Sequence, residues 1–354
     1  MNKKKLFLSL FVFGVILFGI IFVSAPAWDV SNTNYDNVNF SVQNQEYNSE
    51  TIFFNASGNK MYILGSINDT VFQYTLSTPW NISTASYDGV SYNVSSQSDT
   101  PTAIFFNASG NKMYVGGFLQ NMIFQYTLST PWSVSTASYD NVNYSVTESS
   151  NIRGLFFNSS GDKMYMELNN IVFQYTLSTP WNISTASYDN KNYTLSNSTA
   201  NIGLFFNSSG NKMYIGGSIN SVRNILQYTL STPWNISTAS YDGVSYNVND
   251  LDVGTRNLFF NSSGDKMYTI GVNNIVFQYS LVSCTYYPGT GAWEIMGGDN
   301  CTLSTSVNLG SNAIRIMNGA LRISSTGSLN AKGCFVSENS GLYVADGGKL
   351  HCRK

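Results

Sequence analysis

The apolar positions of this chain fall into short runs, and the runs recur. Ile52-Phe53-Phe54 is apolar without alternation, as in a strand covered on both faces. Asn55-Ala56-Ser57-Gly58-Asn59 is a turn, with Gly58 free to take positive φ. Lys60 to Leu64 reads as a second strand. Val71 to Leu76 reads as a third, alternating Phe72, Tyr74 and Leu76 onto one face. Pro79 stops that strand, because proline cannot donate to a ladder. Val90 to Val94 makes a fourth. No window carries a helical period.

The set repeats five times. Phe-Phe-Asn-x-Ser-Gly-x-Lys-Met-Tyr begins at Phe53, Phe105, Phe156, Phe205 and Phe259, and Gln-Tyr-x-Leu begins at Gln73, Gln125, Gln174, Gln227 and Gln278. Ser-Thr-Pro-Trp ends at Trp80, Trp132, Trp181 and Trp234, and a Tyr-Asp phrase starts at Tyr35, Tyr87, Tyr139, Tyr188 and Tyr241. Four short strands in a period of about 50 residues describe a propeller blade. The chain enters the array at a fourth-strand phrase, Tyr35 to Val42, and leaves it at a third-strand phrase, Phe277 to Leu281. Ring closure by strand exchange needs that cut, since it leaves no long edge unpaired. The prediction is an all-β chain with a closed five-bladed β-propeller over 28–283. A six-bladed ring that borrows C-terminal strands is the alternative.

The turn Asn-x-Ser-Gly-x-Lys and the Phe-Gln-Tyr-Thr-Leu-Ser-Thr-Pro-Trp phrase resemble the YVTN-type, WD-repeat-like propeller repeats of secreted and surface proteins, over about residues 28–281. The resemblance implies the fold and an exported location. Some members of that family are lactonase-like enzymes, but no residues here match a lactonase site. A fold of this kind hosts many functions.

The ends of the chain differ from the array. Lys3, Lys4 and Lys5 precede an uncharged 18-residue run, Leu6 to Val23, and then Ser24-Ala25-Pro26-Ala27. Residues 1–27 therefore read as a signal peptide or, uncleaved, as an N-terminal membrane anchor, with everything after them exported. From Cys284 the repeat is gone. Apolar phrases at 314 and 335, 321 and 342, and 329 and 350 are each 21 apart, which predicts a small parallel β-helix-like C-terminal segment over 284–354. A small β-sandwich is the alternative. Cys284, Cys301, Cys334 and Cys352 lie in this segment and, in an exported chain, read as two disulfides. Of three connectivities, the local one, Cys284–Cys301 with Cys334–Cys352, is favoured.

Charge then narrows the function. Charged residues are 11% of the chain and its net charge is −2, too little basic surface for nucleic acid. The one histidine, His351, reads as an exposed tail residue. No metal or cofactor is expected; Asp250 and Asp252 alone do not make a calcium loop. In a near-identical repeat, function concentrates where copies differ. Three residues before each Phe-Phe pair stand Glu50, Thr102, Arg153, Ile202 and Arg256. Glu50, Arg153 and Arg256 are candidate ligand-binding residues at one channel mouth. Lys60, Lys112, Lys163, Lys212 and Lys266 read as solvated strand ends, and the repeated Trp and Tyr as filling between blades. Fifteen Asn-x-Ser/Thr sequons are possible glycan sites: Asn39, Asn55, Asn68, Asn81, Asn93, Asn107, Asn143, Asn158, Asn182, Asn192, Asn197, Asn207, Asn235, Asn261 and Asn300. The expected function is a non-catalytic binding or scaffolding module with a protein or glycan partner at the cell surface. It touches membrane only through 1–27. A lectin-like propeller is the first alternative and a lactonase-like hydrolase the second.

Overall fold

A computed structural model describes residues 28–251 and 254–281, and beyond them 292–296, 300–303, 306–317, 320–323, 328–338 and 340–352. The expected leader, 1–27, and the Cys284 end of the expected Cys284–Cys301 disulfide lie outside these residues.

Residues 28–281 form five four-stranded antiparallel sheets. Blade I runs from its innermost strand Ser49–Phe54 through Lys60–Gly65 and Thr70–Leu76 to Ala85–Asn93. Blades II, III and IV repeat this order from Pro101–Phe106, Ile152–Phe157 and Thr199–Phe206. Blade V is built from Thr255–Phe260, Lys266–Gly271 and Ile275–Leu281, and its outermost strand is Thr33–Ser41 from the start of the array. Thr33 pairs with Leu281 and Ser41 with Ile275, so the ring closes by the predicted exchange. The innermost strands meet around the axis, blade V against blade I included. Thr51 Oγ1 donates to the Thr102 carbonyl and Thr102 Oγ1 to that of Ile152, each at 2.6 Å.

The apolar core lies between the blades. Met61, Tyr62, Ile63 and their counterparts are fully buried, because each inner strand is covered on both faces. The outermost strands alternate half-buried and exposed positions, as an edge beside water requires.

The same polar relay joins each blade to its neighbour. Gln73 Nε2 donates to Asp88 Oδ2 at 2.8 Å, and Gln73 Oε1 accepts the backbone N–H of Val134 in the next blade at 3.0 Å. Gln125, Gln174, Gln227 and Gln278 do the same for Ile183, Ile236, Val30 and Ile82. The five lysines are not simply solvated strand ends: each pairs with the Asp of the Tyr-Asp phrase, at 2.7–3.1 Å. Burial alone raises the Asp88 carboxyl, but hydrogen bonds from Lys60, Thr75 and Gln73 outweigh it and the net shift is downward. Asp140, Asp189 and Asp242 follow the same balance.

The tryptophans lock the ring. Trp80, Trp132, Trp181 and Trp234 all adopt φ of 62–65°, the left-handed region a bulky residue rarely enters. Each ring lies over the turn glycine of its own blade; a Cβ on Gly58 would stand 2.2 Å from the Trp80 ring. Each carbonyl accepts the hydroxyl of a buried tyrosine from a neighbouring blade, such as Tyr62 to Trp132 at 2.7 Å. Burial pushes these phenols far above the ordinary tyrosine value, so they remain donors. The fifth member is Trp28. It lies over Gly264, donates its N–H to the Gly264 carbonyl at 3.0 Å, and accepts from Tyr214. Trp28-Asp29-Val30-Ser31 is therefore a copy of Trp80-Asn81-Ile82-Ser83 that opens the array.

The C-terminal unit is a parallel β-helix of three coils, with strands stacked in three parallel sheets. Leu321 pairs with Leu342 and Leu329 with Leu350, the predicted 21-residue step. The third phrase is shifted: Ile314 pairs with Cys334, not Phe335. Alternation along the strand turns Cys334 toward the core and leaves Phe335 59% exposed. A disulfide joins Cys334 to Cys352, with Cα atoms 5.7 Å apart.

Candidate functional site

The propeller axis has two ends of different chemistry. The innermost strands begin at the end holding Glu50, Arg153 and Arg256. There Glu50 Oε1 accepts from Arg256 Nη1, and from Asn48 Nδ2 and Ser66 Oγ at 3.0 Å each. Glu50 is buried, with three donors on this one oxygen. Arg153 takes another direction: its guanidinium lies over the Phe118 ring, 4.8 Å from the centroid. Glu50 and Arg256 are thus brought together as an ion pair between blades V and I, and Arg153 belongs to a separate contact between blades III and II.

That second contact adjoins a residue the repeat reading passed over. Glu167 stands where the other blades have Leu64, Gly116, Gly216 and Ile270. It is completely buried. Its Oε1 accepts the Asn170 N–H at 3.0 Å, while Oε2 has no hydrogen-bond partner. Burial pushes this carboxyl up to about 8, against the smaller opposing effects of the Asn170 N–H and of Arg153. Glu167 breaks a column of Leu, Gly and Ile as Glu50 breaks its own, so the repeat itself marks both positions.

At the other end the innermost strands finish in their Phe-Phe pairs. Phe53, Phe105, Phe156, Phe205 and Phe259 form a closed ring across the axis. Neighbouring centroids are 5.2–5.4 Å apart and planes meet at 67–72°, the edge-to-face arrangement aromatic quadrupoles favour. The ring blocks the channel. Behind it Ile52, Ile104, Leu155, Leu204 and Leu258 surround a void of only ≈ 20 Å³. In front of it opens a cup of ≈ 200 Å³. Its floor is the phenylalanine ring, and Trp132, Trp181 and Trp234 form its sides. Trp181 stacks on Phe105 and Trp234 on Phe156, both at 6.4 Å between centroids. Trp28 stacks on Phe205 at 6.1 Å.

The asparagines of the cup are engaged in its own turns. Asn107 Nδ2 donates to Asn111 Oδ1 at 2.8 Å, and Asn107 Oδ1 accepts the Lys112 N–H at 3.1 Å. Asn158 and Asn207 repeat this with Asp162 and Lys163, and with Asn211 and Lys212. Ala56, Ala108, Ser159 and Ser208 stand exposed at the lip. No charged side chain lines the cup.

The sequons divide by place. Asn55, Asn107, Asn158, Asn207 and Asn261 are buried, with Nδ2 donated inside the turn, and a glycan on Nδ2 would break that bond. Asn81, Asn182 and Asn235 are half-buried and precede short 3-10 turns. Asn39, Asn68, Asn93, Asn143, Asn192 and Asn197 are exposed. Asn300 lies in the first coil of the β-helix. His351 is exposed on the last coil strand. Among the described residues no three His, Cys, Asp or Glu side chains stand close enough to hold a metal ion.

No family model matches this chain, and no curated protein matches it. Solved structures of similar fold include a functionally unknown protein from Desulfotomaculum acetoxidans DSM 771, at 10% identity and a TM-score of 0.40, covering 64% of this chain and 63% of that one. A putative 6-phosphogluconolactonase from Bacteroides uniformis ATCC 8492 matches at 14% identity and a TM-score of 0.41, covering 65% of each chain. Sqt1 from Chaetomium thermophilum matches at 11% identity and a TM-score of 0.37, covering 66% of this chain and 59% of that one. The match thus spans less than two thirds of each of these proteins.

Proposed function

We propose that this chain is an exported, non-catalytic propeller of the YVTN-type kind that binds or scaffolds a partner at the cell surface through the aromatic end of its axis. The observation that carries the reading is the cup: five phenylalanines seal the channel, and the recess before them offers largely aromatic surface with no charged side chain. Catalysis on a lactone or a glycoside would need polarised groups aimed at a reacting atom, and the cup lining supplies none. The Cys334–Cys352 disulfide fits an oxidising compartment.

The test is capture from native cell envelope on the immobilised chain, beside an Ala108→Glu/Ser159→Glu variant charged at the exposed lip. The reading expects an envelope component held by the natural chain and lost by the variant. Equal retention by both, or turnover of lactone substrates by the natural chain, overturns it. A lectin-like propeller predicts instead hits on a glycan array.

A further inference from the structure

Trp28, the first described residue, sits on the cup side of the ring. It lies against Gly264 of the blade V turn and stacks on Phe205 of the cup floor. Trp28 thus fixes the start of the described chain at the cup end and not at the Glu50 end. Only Ser24 to Ala27 separate Trp28 from the uncharged run Leu6 to Val23. Four residues span at most about 14 Å when fully extended. In the uncleaved reading of residues 1–27, whatever apolar phase receives residues 6–23 is thus within reach of the cup.

The cup's chemistry selects what can enter it. A sugar would bring hydroxyl groups to Asn107, Asn158 and Asn207, whose amides are already engaged in their turns. Over the phenylalanine floor those hydroxyl groups would lose water without gaining a partner, at a cost of about 1–3 kcal/mol each, and only the lip hydroxyls of Ser159 and Ser208 and the tryptophan N–H groups could offset it. A charged group would fare worse against a floor of phenylalanine. Hydrocarbon has no such cost. A recess of ≈ 200 Å³ exceeds the roughly 150 Å³ cavity that accommodates benzene, so it suits the end of an alkyl chain. The lip adds little charge: Asp162 and Asp265 sit in two of the five turns, each holding its own Asn and Ser side chains.

We propose that the axial cup seats the end of a phospholipid acyl chain, drawn from the membrane that residues 6–23 engage. This rests on the reading of the chain as an exported binding module and names the ligand of its aromatic end. It also orients the molecule, cup toward the bilayer and the Glu50–Arg256 mouth away from it.

The test uses the full chain synthesised directly into phosphatidylcholine vesicles whose acyl chains carry a terminal photoreactive diazirine. After illumination, labelled peptides are mapped by mass spectrometry. Label is expected on residues 6–23 and on the peptides carrying Phe105, Phe156 and the lip. The Ala108→Glu/Ser159→Glu variant should lose at least tenfold of the cup label and keep the leader label. Both positions are exposed, and equal melting temperatures would show that both chains are folded. Label on the leader alone, cup label unchanged in the variant, or no label on the leader each overturns the proposal. A cup that captures an envelope protein but no lipid label would leave the binding reading standing and remove this one.

Discussion

Glu167 offers the sharpest test of the packing argument. Its carboxyl is fully buried between strands, with one oxygen on the Asn170 N–H and the other unpartnered. Burial holds its pKa at about 8 against an ordinary value of 4.5. A group whose folded pKa is raised binds its proton more tightly in the native state. Stability is therefore full below pH 4.5, falls as the unfolded chain ionises and the folded one does not, and levels off above pH 8. The difference of 3.5 pH units, at 1.36 kcal/mol each, sets a ceiling of about 5 kcal/mol, of which about 3 kcal/mol is already lost at pH 7. Glu167→Gln keeps the shape and the Asn170 contact and cannot ionise. It should match the natural chain near pH 4.5 and exceed it by a growing margin toward pH 9.

The assay is urea unfolding at pH 5, 7 and 9, followed by tryptophan emission. Five of the six tryptophans belong to the propeller, so the signal reads that unit. A difference between the two chains that stays flat from pH 5 to 9 would refute the reasoning. It would mean that water or Arg153 stabilises the charged form in the folded state.

Four further outcomes follow from the repeated contacts. Gly58→Ala should cost well over 2 kcal/mol in thermal melts, because the new Cβ meets the Trp80 ring at 2.2 Å; Gly89→Ala, also at positive φ but with open space around it, should cost only about 1 kcal/mol. Trp28→Ala should destabilise as much as Trp132→Ala, about 3–5 kcal/mol, since both hold the same place in the ring; a mild effect at Trp28 alone would mean that the ring does not depend on its N-terminal seal. Asp88→Asn should lower stability at pH 7 by about 1–3 kcal/mol, and the deficit should shrink as pH falls from 3.8 through the lowered folded value, since a lowered carboxyl contributes above its unfolded value and loses that contribution as pH falls; paired melts at pH 7 and 2 check the sign. Cys334→Ser should lower the unfolding of the β-helix by about 3 kcal/mol, the entropy of an 18-residue closure, and leave the propeller transition unmoved in calorimetry.

Five identical phrases gave the blade, and the place where the array is cut gave its closure, because strand alternation and turn residues are local signals. The tertiary uses of those phrases were less legible. Gln73 reads as one polar residue in an alternating strand, yet it bridges Asp88 to the backbone of the next blade. Lys60 reads as solvated because its partner Asp88 is 28 residues away. Trp28 escaped the Ser-Thr-Pro-Trp phrase because Ala25, Pro26 and Ala27 precede it, and the contacts that define the position come from Trp28 onward. In the β-helix, the 21-residue step was legible, but one-residue register was not. Cys334 and Phe335 are both apolar enough to face inward, and the bond to Cys352 belongs with the inward placing of Cys334.

The exceptions to five-fold symmetry lie at one end of the axis and the aromatic cup at the other. A charge that breaks a repeat must be compensated where it stands, and Glu50 is, by Arg256, Asn48 and Ser66. Arg153 is also absorbed, by the Phe118 ring. Both side chains are thus held by contacts between blades. The phenylalanines at the opposite end are alike in every blade, so comparing copies cannot single them out. Yet only at the axis do five equal positions converge into one recess. Symmetry hides a binding surface in the sequence when the surface is made by the symmetry itself. The residues to test are then those that all copies share and that the fold brings to its centre.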